Sequence, residues 1–428
     1  MKPSKWVPPA ANRLIGAFVS KLLLLCLLAC AVDAVAQPVI LPSSLTTPVP
    51  AATDGFQAVN QPVTSSMGAG SAAVAQDPPP FQWGAVELRP HLSYRLMYGD
   101  GIQSQPGNQL YTAVHTISPG VSFKIGDSWT LDYTATQTLY SRREFNDTLD
   151  QAFDLQGTKS VGSWALQFAQ GYTTSSAPLA ETASQTKQEN ATTSLGAAYP
   201  ISPDFSLELG ATQSLRFAGT LGDTFEWSTM DWVNYHASTD FSAAVGAGLG
   251  YVDLTDAPNM SYQRYLGRMG WKISPKIGLD INGGVEVRNS EATGASATNN
   301  PIYDIALRYA PFEHTTLSVE GGRTVSVSLF QNQVSDARNW SARLQQRLLG
   351  RLNLNAGVSG QKSSYSAPVN TIAVNRDDET RSFNVSLGAT FRRRGTIVVS
   401  YQRSQNTSNL AGYGFSSSQF GLELAFRY

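Results

Sequence analysis

Four histidines, His91, His115, His236 and His314, have the widest catalytic and metal-binding repertoire in this chain of 428 residues. They are scattered, and none stands in an HExxH or comparable ligand spacing, so each reads as a wall or interface residue. Ser-His-Asp groups meet only in space, so an enzyme stays open as a third reading behind the two set out below. Gly246-Ala247-Gly248-Leu249-Gly250 has the glycine content of a phosphate loop but opens no helix, and reads as a strand that packs closely or bends. Asn375-Arg376-Asp377-Asp378-Glu379 offers oxygens to a divalent cation without EF-hand spacing, and reads as a solvated loop. The sequence assigns no catalytic residue, cofactor or metal.

The arginines are patterned instead. From Trp83 onward, apolar and polar residues alternate with a period of two, the signature of strands with two different faces. In the first strand Val86, Leu88, Leu92, Tyr94, Leu96 and Tyr98 share one face, and Glu87, Arg89, His91, Ser93 and Arg95 the other. Tyr265, Met269, Trp271 and Ile273 likewise oppose Arg264, Arg268 and Lys272, and Trp340, Ala342, Leu344 and Leu348 oppose Arg343, Gln345 and Arg347. A charge at mid-depth on a lipid-facing surface costs about 2 to 4 kcal/mol, so the charged face is the inner one.

That face carries Arg89, Arg95, Arg216, Arg264, Arg268, Lys272, Arg288, Arg308, Arg343, Arg347, Arg392 and Arg427. The acids assigned to it are Glu87, Asp132, Glu208, Asp280, Glu286, Asp304, Glu320 and Glu423, so the interior is expected to be mildly positive and to favour anions. The alternative is that these charges pair across strands and merely keep the wall wet. Strict alternation points Arg323 outward; either a bulge at Gly321-Gly322 turns it inward or it sits at headgroup height.

The elements that position these residues are the strands of a barrel. Short connections such as Lys124 to Asp127, Val161-Gly162, Ser274-Pro275 and Gly350 alternate with long polar ones such as Gly99 to Gln109, Ser175 to Lys187 and Ser363 to Thr380. The pattern gives about eighteen strands, an even number, as both ends on one side of a membrane require. Trp129, Trp164, Phe205, Phe241, Trp271, Phe391 and Tyr428 lie beside short turns, as an interfacial girdle would. At the carboxyl terminus Phe420, Leu422, Leu424, Phe426 and Tyr428 share a face, and Gln419, Gly421, Leu424, Phe426 and Tyr428 resemble the terminal signal by which outer-membrane barrels are recognised for assembly. The alternative is a terminal strand of a soluble sandwich, which would leave this apolar face uncovered. The fold class expected is all-β: a transmembrane, antiparallel, up-and-down β-barrel with a disordered N-terminal periplasmic segment.

Composition agrees, because charged residues at 15% are few for a soluble enzyme, while no run past the amino terminus reaches the roughly 18 apolar residues of a membrane helix. Residues 1–36 read as a signal peptide: Lys2, Lys5, Arg13 and Lys21 precede the apolar run Leu22 to Val32, and Ala34-Val35-Ala36 is the cleavage site before Gln37. Leu27-Leu28-Ala29-Cys30 resembles a lipobox, the alternative in which Cys30 is acylated. The two cysteines, Cys26 and Cys30, both lie in this leader, so the remainder has no disulfide. Its removal leaves a net charge of about −4, which argues against nucleic acid as partner. Residues 37–82, rich in Pro, Ala, Ser and Thr, read as a disordered periplasmic segment, and 83–428 as the barrel.

Ile302-Tyr303-Asp304-Ile305-Ala306-Leu307-Arg308-Tyr309-Ala310-Pro311-Phe312-Glu313-His314-Thr315-Thr316-Leu317, then Gly322-Arg323-Thr324-Val325 and the hairpin Leu344 to Leu354, resemble the β-barrel porin 2 family. The resemblance spans residues 83–428 and implies an integral barrel of the bacterial outer membrane associated with exopolysaccharide and exosortase loci, with no catalytic residues. Two functions follow as expectations: a channel for small hydrophilic, anionic solutes or for exopolysaccharide export, or a non-conducting anchor of a polysaccharide secretion system. The partners expected are outer-membrane lipid and lipopolysaccharide, the barrel assembly machinery and polysaccharide export components.

Overall fold

The computed structural model describes residues 81–100, 110–179, 184–255, 257–292, 294–328, 333–366, 375–391 and 394–428. The leader with Cys26 and Cys30, the segment 37–82 apart from Phe81 and Gln82, and Arg392 lie outside the described residues.

Eighteen long strands form the wall: β1 (Val86–Asp100), β2 (Thr112–Ile125), β3 (Trp129–Tyr140), β4 (Thr148–Val161), β5 (Trp164–Ser175), β6 (Gln188–Pro200), β7 (Phe205–Phe217), β8 (Thr224–His236), β9 (Phe241–Leu254), β10 (Met260–Ser274), β11 (Ile277–Ser290), β12 (Thr298–Phe312), β13 (Thr315–Val327), β14 (Val334–Leu348), β15 (Leu352–Ser366), β16 (Arg376–Phe391), β17 (Gly395–Ser408) and β18 (Phe415–Arg427). Each pairs antiparallel with its sequence neighbours, and β18 returns to β1, from His91↔Arg427 to Asp100↔Ser418, which closes the barrel and leaves no wall strand with a free edge. A short segment, Phe81–Trp83, folds back on the start of β1. Its Phe81 ring stacks on Tyr428 at 4.3 Å, and the Tyr428 amide donates to the Pro90 carbonyl at 3.0 Å.

Paired residues share a face, so the register fixes which side chains point out. Leu195, Val245, Leu249, Val319 and Val399 are outward and more than half exposed. A surface of this kind around the whole wall far exceeds the few hundred Å² that a soluble monomer tolerates, and lipid is the medium that covers it. The protein is an integral outer-membrane β-barrel. The long strand connections lie at one end, the outer one, and the tight turns at the other, where Gly126 and Gly162 adopt φ of 58°.

Polar exceptions interrupt the outward face. Lys159 stands near the inner end of β4, where its stem can reach the interface. Thr193 donates to the Gln170 side chain at 2.6 Å, and the Asp231 carboxylate accepts from the Gly210 amide at 3.3 Å. Arg323 is outward too. Pairing runs unbroken from Tyr303↔Arg323 to Tyr309↔Leu317, so Gly321-Gly322 carry no bulge, and the expected inward turn of Arg323 is corrected. Its guanidinium is satisfied in place by the Asp336 carboxylate, at 2.9 and 2.8 Å.

The loop expected from Ser363 to Thr380 is shorter, because β15 runs on to Ser366 and β16 begins at Arg376. Within Asn375 to Glu379, Arg376 and Asp378 form a buried ion pair rather than a solvated loop, with the guanidinium 3.7 Å from the centre of the Tyr413 ring.

Candidate functional site

The most ordered chemistry on the inner wall begins with the glycines of β9. Gly246, Gly248 and Gly250 all face inward, register-paired with Trp232, Met230 and Tyr262 of the flanking strands. A Cβ on Gly246 would lie 2.6 Å from the Trp232 ring, and one on Gly250 would lie 2.0 Å from the Tyr262 ring. Only bare backbone lets these two rings lie flat against the wall. The stripe read from the sequence as close packing is the floor beneath two aromatic platforms.

Three arginines lie on the platforms. The Arg268 guanidinium is 4.4 Å from the Trp232 ring centre, and Arg264 and Arg288 are 4.4 and 5.1 Å from that of Tyr262. Each such contact contributes about 0.5 to 1 kcal/mol and fixes the plane of the guanidinium. Carboxylates hold the other edges. Arg264 Nε donates to Glu286 Oε2 and Arg288 Nε to Glu286 Oε1, both at 2.8 Å, while Arg268 Nη2 donates to Glu208 Oε2 at 2.5 Å and also to Asn234 Oδ1. The Tyr262 hydroxyl donates to Glu226 Oε1 at 2.5 Å.

Burial decides what a solute would meet. The Glu286 and Glu208 side chains are 0% and 5% exposed, whereas Arg264 and Arg268 are each 24% exposed. Glu208 and Glu286 are enclosed behind the guanidiniums, Arg288 is buried with them and Glu226 is half-buried, so Arg264 and Arg268 carry the positive charge that this arc presents although its formal charges cancel.

Above the arginines the lumen is narrowed by the wall itself. Pairing of β12 with β13 stops at Tyr303↔Arg323, while β13 and β14 stay paired to Val327↔Val334 and β11 and β12 to Arg288↔Thr298. The top of the β13–β14 hairpin therefore leaves the sheet. Val325 and Val327, outward by parity, are 3% and 7% exposed. Val327 and Val334 pack on Val252, Leu254, Met260 and Tyr262, which line the inner face of β9 and β10. Arg288 Nη2 donates to the Val325 carbonyl at 3.1 Å. The hairpin thus bends into the mouth and seats on the inner face of the nearby β9 and β10.

Of the bases expected on the inner face, Arg264, Arg268 and Arg288 come together here. Arg89 lies 3.8 Å from Glu87, and Arg95 is register-paired with Glu423. Arg427 pairs with His91 across the closing seam, and Arg216 stands near the outer end of β7. Lys272 and Arg308 both pair with Gly278 near the inner rim. Arg343 lies 3.6 Å from Glu320, and Arg347 donates to the Gly350 carbonyl at 3.0 and 2.7 Å, bracing a turn.

The inner face also holds acids that the sequence reading did not include: Asp150, Asp154, Glu226 and Asp378. With these, acids and bases among the described residues are nearly matched, so in place of the expected overall positive excess the wall presents positive charge locally, where Arg264 and Arg268 are exposed in front of buried carboxylates. Asp378 fell within a stretch read as a loop. Trp232 and Tyr262 were also missed, although a signal existed in aromatic residues at inward parity on both sides of an inward glycine stripe.

The remaining sites are simple. His91 Nε2 lies 3.0 Å from Thr134 Oγ1 across Gly120, and His115 Nδ1 lies 2.9 Å from the Tyr94 hydroxyl on the outward face. Among the described residues no group of His, Cys, Asp or Glu is arranged to hold a metal ion. In the terminal signal, Phe420, Leu424 and Phe426 are exposed outward, while Gln419 and Gly421 face inward and are buried.

An eighteen-stranded closed barrel with a polar, charge-lined interior and an apolar exterior defines a porin-like class of outer-membrane protein. Among solved structures the chain is similar to OccAB3 of Acinetobacter baumannii (TM-score 0.42, 9% identity, 80% of this chain and 99% of that one). It is also similar to Pseudomonas aeruginosa OccK2 (OpdF) (0.44, 11%, 79% and 98%) and to Pseudomonas aeruginosa OpdK, solved with vanillate (0.42, 13%, 80% and 99%). No protein-family model matches the sequence, the β-barrel porin 2 family included, and no curated protein matches it.

Proposed function

We propose that the protein is an outer-membrane channel for small hydrophilic anions. The observation that carries this reading is the Arg264–Arg268 pair, whose guanidiniums reach the lumen while Glu208 and Glu286 are shut behind them and Arg288 is buried beside Glu286. A solute carboxylate or phosphate passing this arc exchanges hydration for charge-assisted contacts to cations that are already oriented. Strand number supports it, because barrels of 16 to 18 strands enclose an aqueous passage.

Single-channel recording of the refolded barrel in a planar bilayer under a salt gradient tests it. A steady conductance with an anion-selective reversal potential is expected. The paired change R268Q/E208Q removes both charges and leaves the net charge unaltered. It should lower the anion-to-cation permeability ratio about twofold, because only the cation is exposed. An unaltered ratio would sink the role given to Arg268.

A second reading, a non-conducting anchor of the exopolysaccharide secretion machinery implied by the family resemblance, is favoured by the hairpin seated in the mouth. A barrel that stays closed across the whole voltage range would favour it over the channel.

A further inference from the structure

The outward face of β13–β17 carries a second arrangement of cations, unconnected with the lumen. Arg323, Arg338 and Lys362 are consecutive cross-strand neighbours, and Arg381 and Arg403 continue the row on β16 and β17. Glu379 lies between Lys362 and Arg381, at 3.7 and 2.5 Å, and Arg323 is neutralised by Asp336. Arg338 and Arg403 are exposed and have no ion pair among the described residues, so the cluster keeps a net positive charge. Lys362 and Arg381 are 72% and 75% exposed.

Depth gives the row its meaning. Arg338 is about ten residues from Leu348 at the inner end of β14. At a rise of about 3.3 Å per residue and a tilt of about 40°, this spans roughly 25 Å, the height of the apolar band. The cations therefore stand at the outer membrane boundary, beside the point where the β13–β14 hairpin bends away.

Beneath them the outward surface is grooved. In the register row Ile305, Gly321, Trp340, Gly360 and Arg381, two glycines alternate with large residues. A Cβ on Gly360 would meet the Trp340 ring nitrogen at 2.5 Å, so the indole lies across that glycine. The resulting groove, of about 660 Å³, is walled by Tyr303, Ile305, Leu307, Val319 and Trp340 and topped by Arg338, Lys362 and Arg381.

We propose that this surface is a binding site for a bisphosphorylated, multiply acylated glycolipid of the outer leaflet, with its phosphates on Arg338, Lys362 and Arg381 and an acyl chain along Trp340. Charge and depth select this occupant. Cations at the outer boundary with an apolar groove directly below match an anionic headgroup carrying chains, and a soluble anion has no use for the groove. The site lies on the opposite face of the wall from the arginine row and does not depend on the channel reading.

Native mass spectrometry of the detergent-extracted barrel with bisphosphorylated hexa-acyl lipid A tests the site. The triple variant R338Q/K362Q/R381Q should bind at least about tenfold more weakly, with single-channel conductance unaltered. Monophosphorylated lipid A should bind the unaltered barrel more weakly than the bisphosphorylated form. The single variant R338Q disturbs no described ion pair, and its expected loss of about threefold decides the matter if the triple variant does not fold. Lipid A binding to R338Q equal to that of the unaltered barrel would overturn the proposal. So would cardiolipin retained as tightly as lipid A, since the surface would then be a general anionic-lipid contact.

Discussion

Gly250 shows how much of this wall rests on absent atoms. Any side chain there collides with Tyr262, the ring on which Arg264 and Arg288 rest. Gly250→Val should therefore cost about 1 to 3 kcal/mol, read as a lower denaturant midpoint for unfolding from lipid vesicles. It should also release Tyr262 from Glu226, seen as a changed tyrosine environment in the near-ultraviolet spectrum. A variant with an unaltered midpoint would show that the ring is not held against the backbone. Such dependence is visible in a sequence only as glycine at the wrong place for a turn. The stripe from Gly246 to Gly250 announced close packing, but the rings that pack on it come from other strands, and one strand's period does not encode its partners.

At the scale of elements, period-two alternation was enough to sort the faces of most strands. Phe420, Leu424 and Phe426 point outward and Arg264 and Arg268 inward, as the pattern requires. Alternation does not tell where a strand parts from its neighbour. Val325 and Val327 carry the pattern of lipid-facing residues, yet they are buried in the lumen because the sheet splits above Arg323. The same limit explains Arg323, for which a bulge was one of two readings because its partner Asp336, on the next strand, was not visible. Joining Ser326 to Ser335, which are register-paired, through an Asn-Gly turn would remove Val327, Val334 and the intervening loop. Single-channel conductance should then rise about twofold or more, as a constriction is withdrawn. Conductance that stays level would show that the hairpin does not limit flow.

The whole molecule is held by one long seam. Deleting Phe415 to Tyr428 would leave β1 and β17 with unpaired edges in lipid, where each unsatisfied backbone group costs several kcal/mol. The truncated chain should show no heat-modifiable band in gel electrophoresis, and a folded band would refute the seam's importance. The seam also sets an order in time. At its outer end the Ser418 amide donates to the Asp100 carboxylate, a contact across 318 residues, whereas the other neighbouring strands are joined by hairpins or loops. The first strand made during synthesis thus waits longest for its partner, and its pairing pays the largest loop-closure entropy in the wall. Until the last strand arrives, the chain is a curved open ribbon with two exposed edges, so shielding of β1 through that interval is a requirement that the topology places on whatever delivers the chain to the membrane.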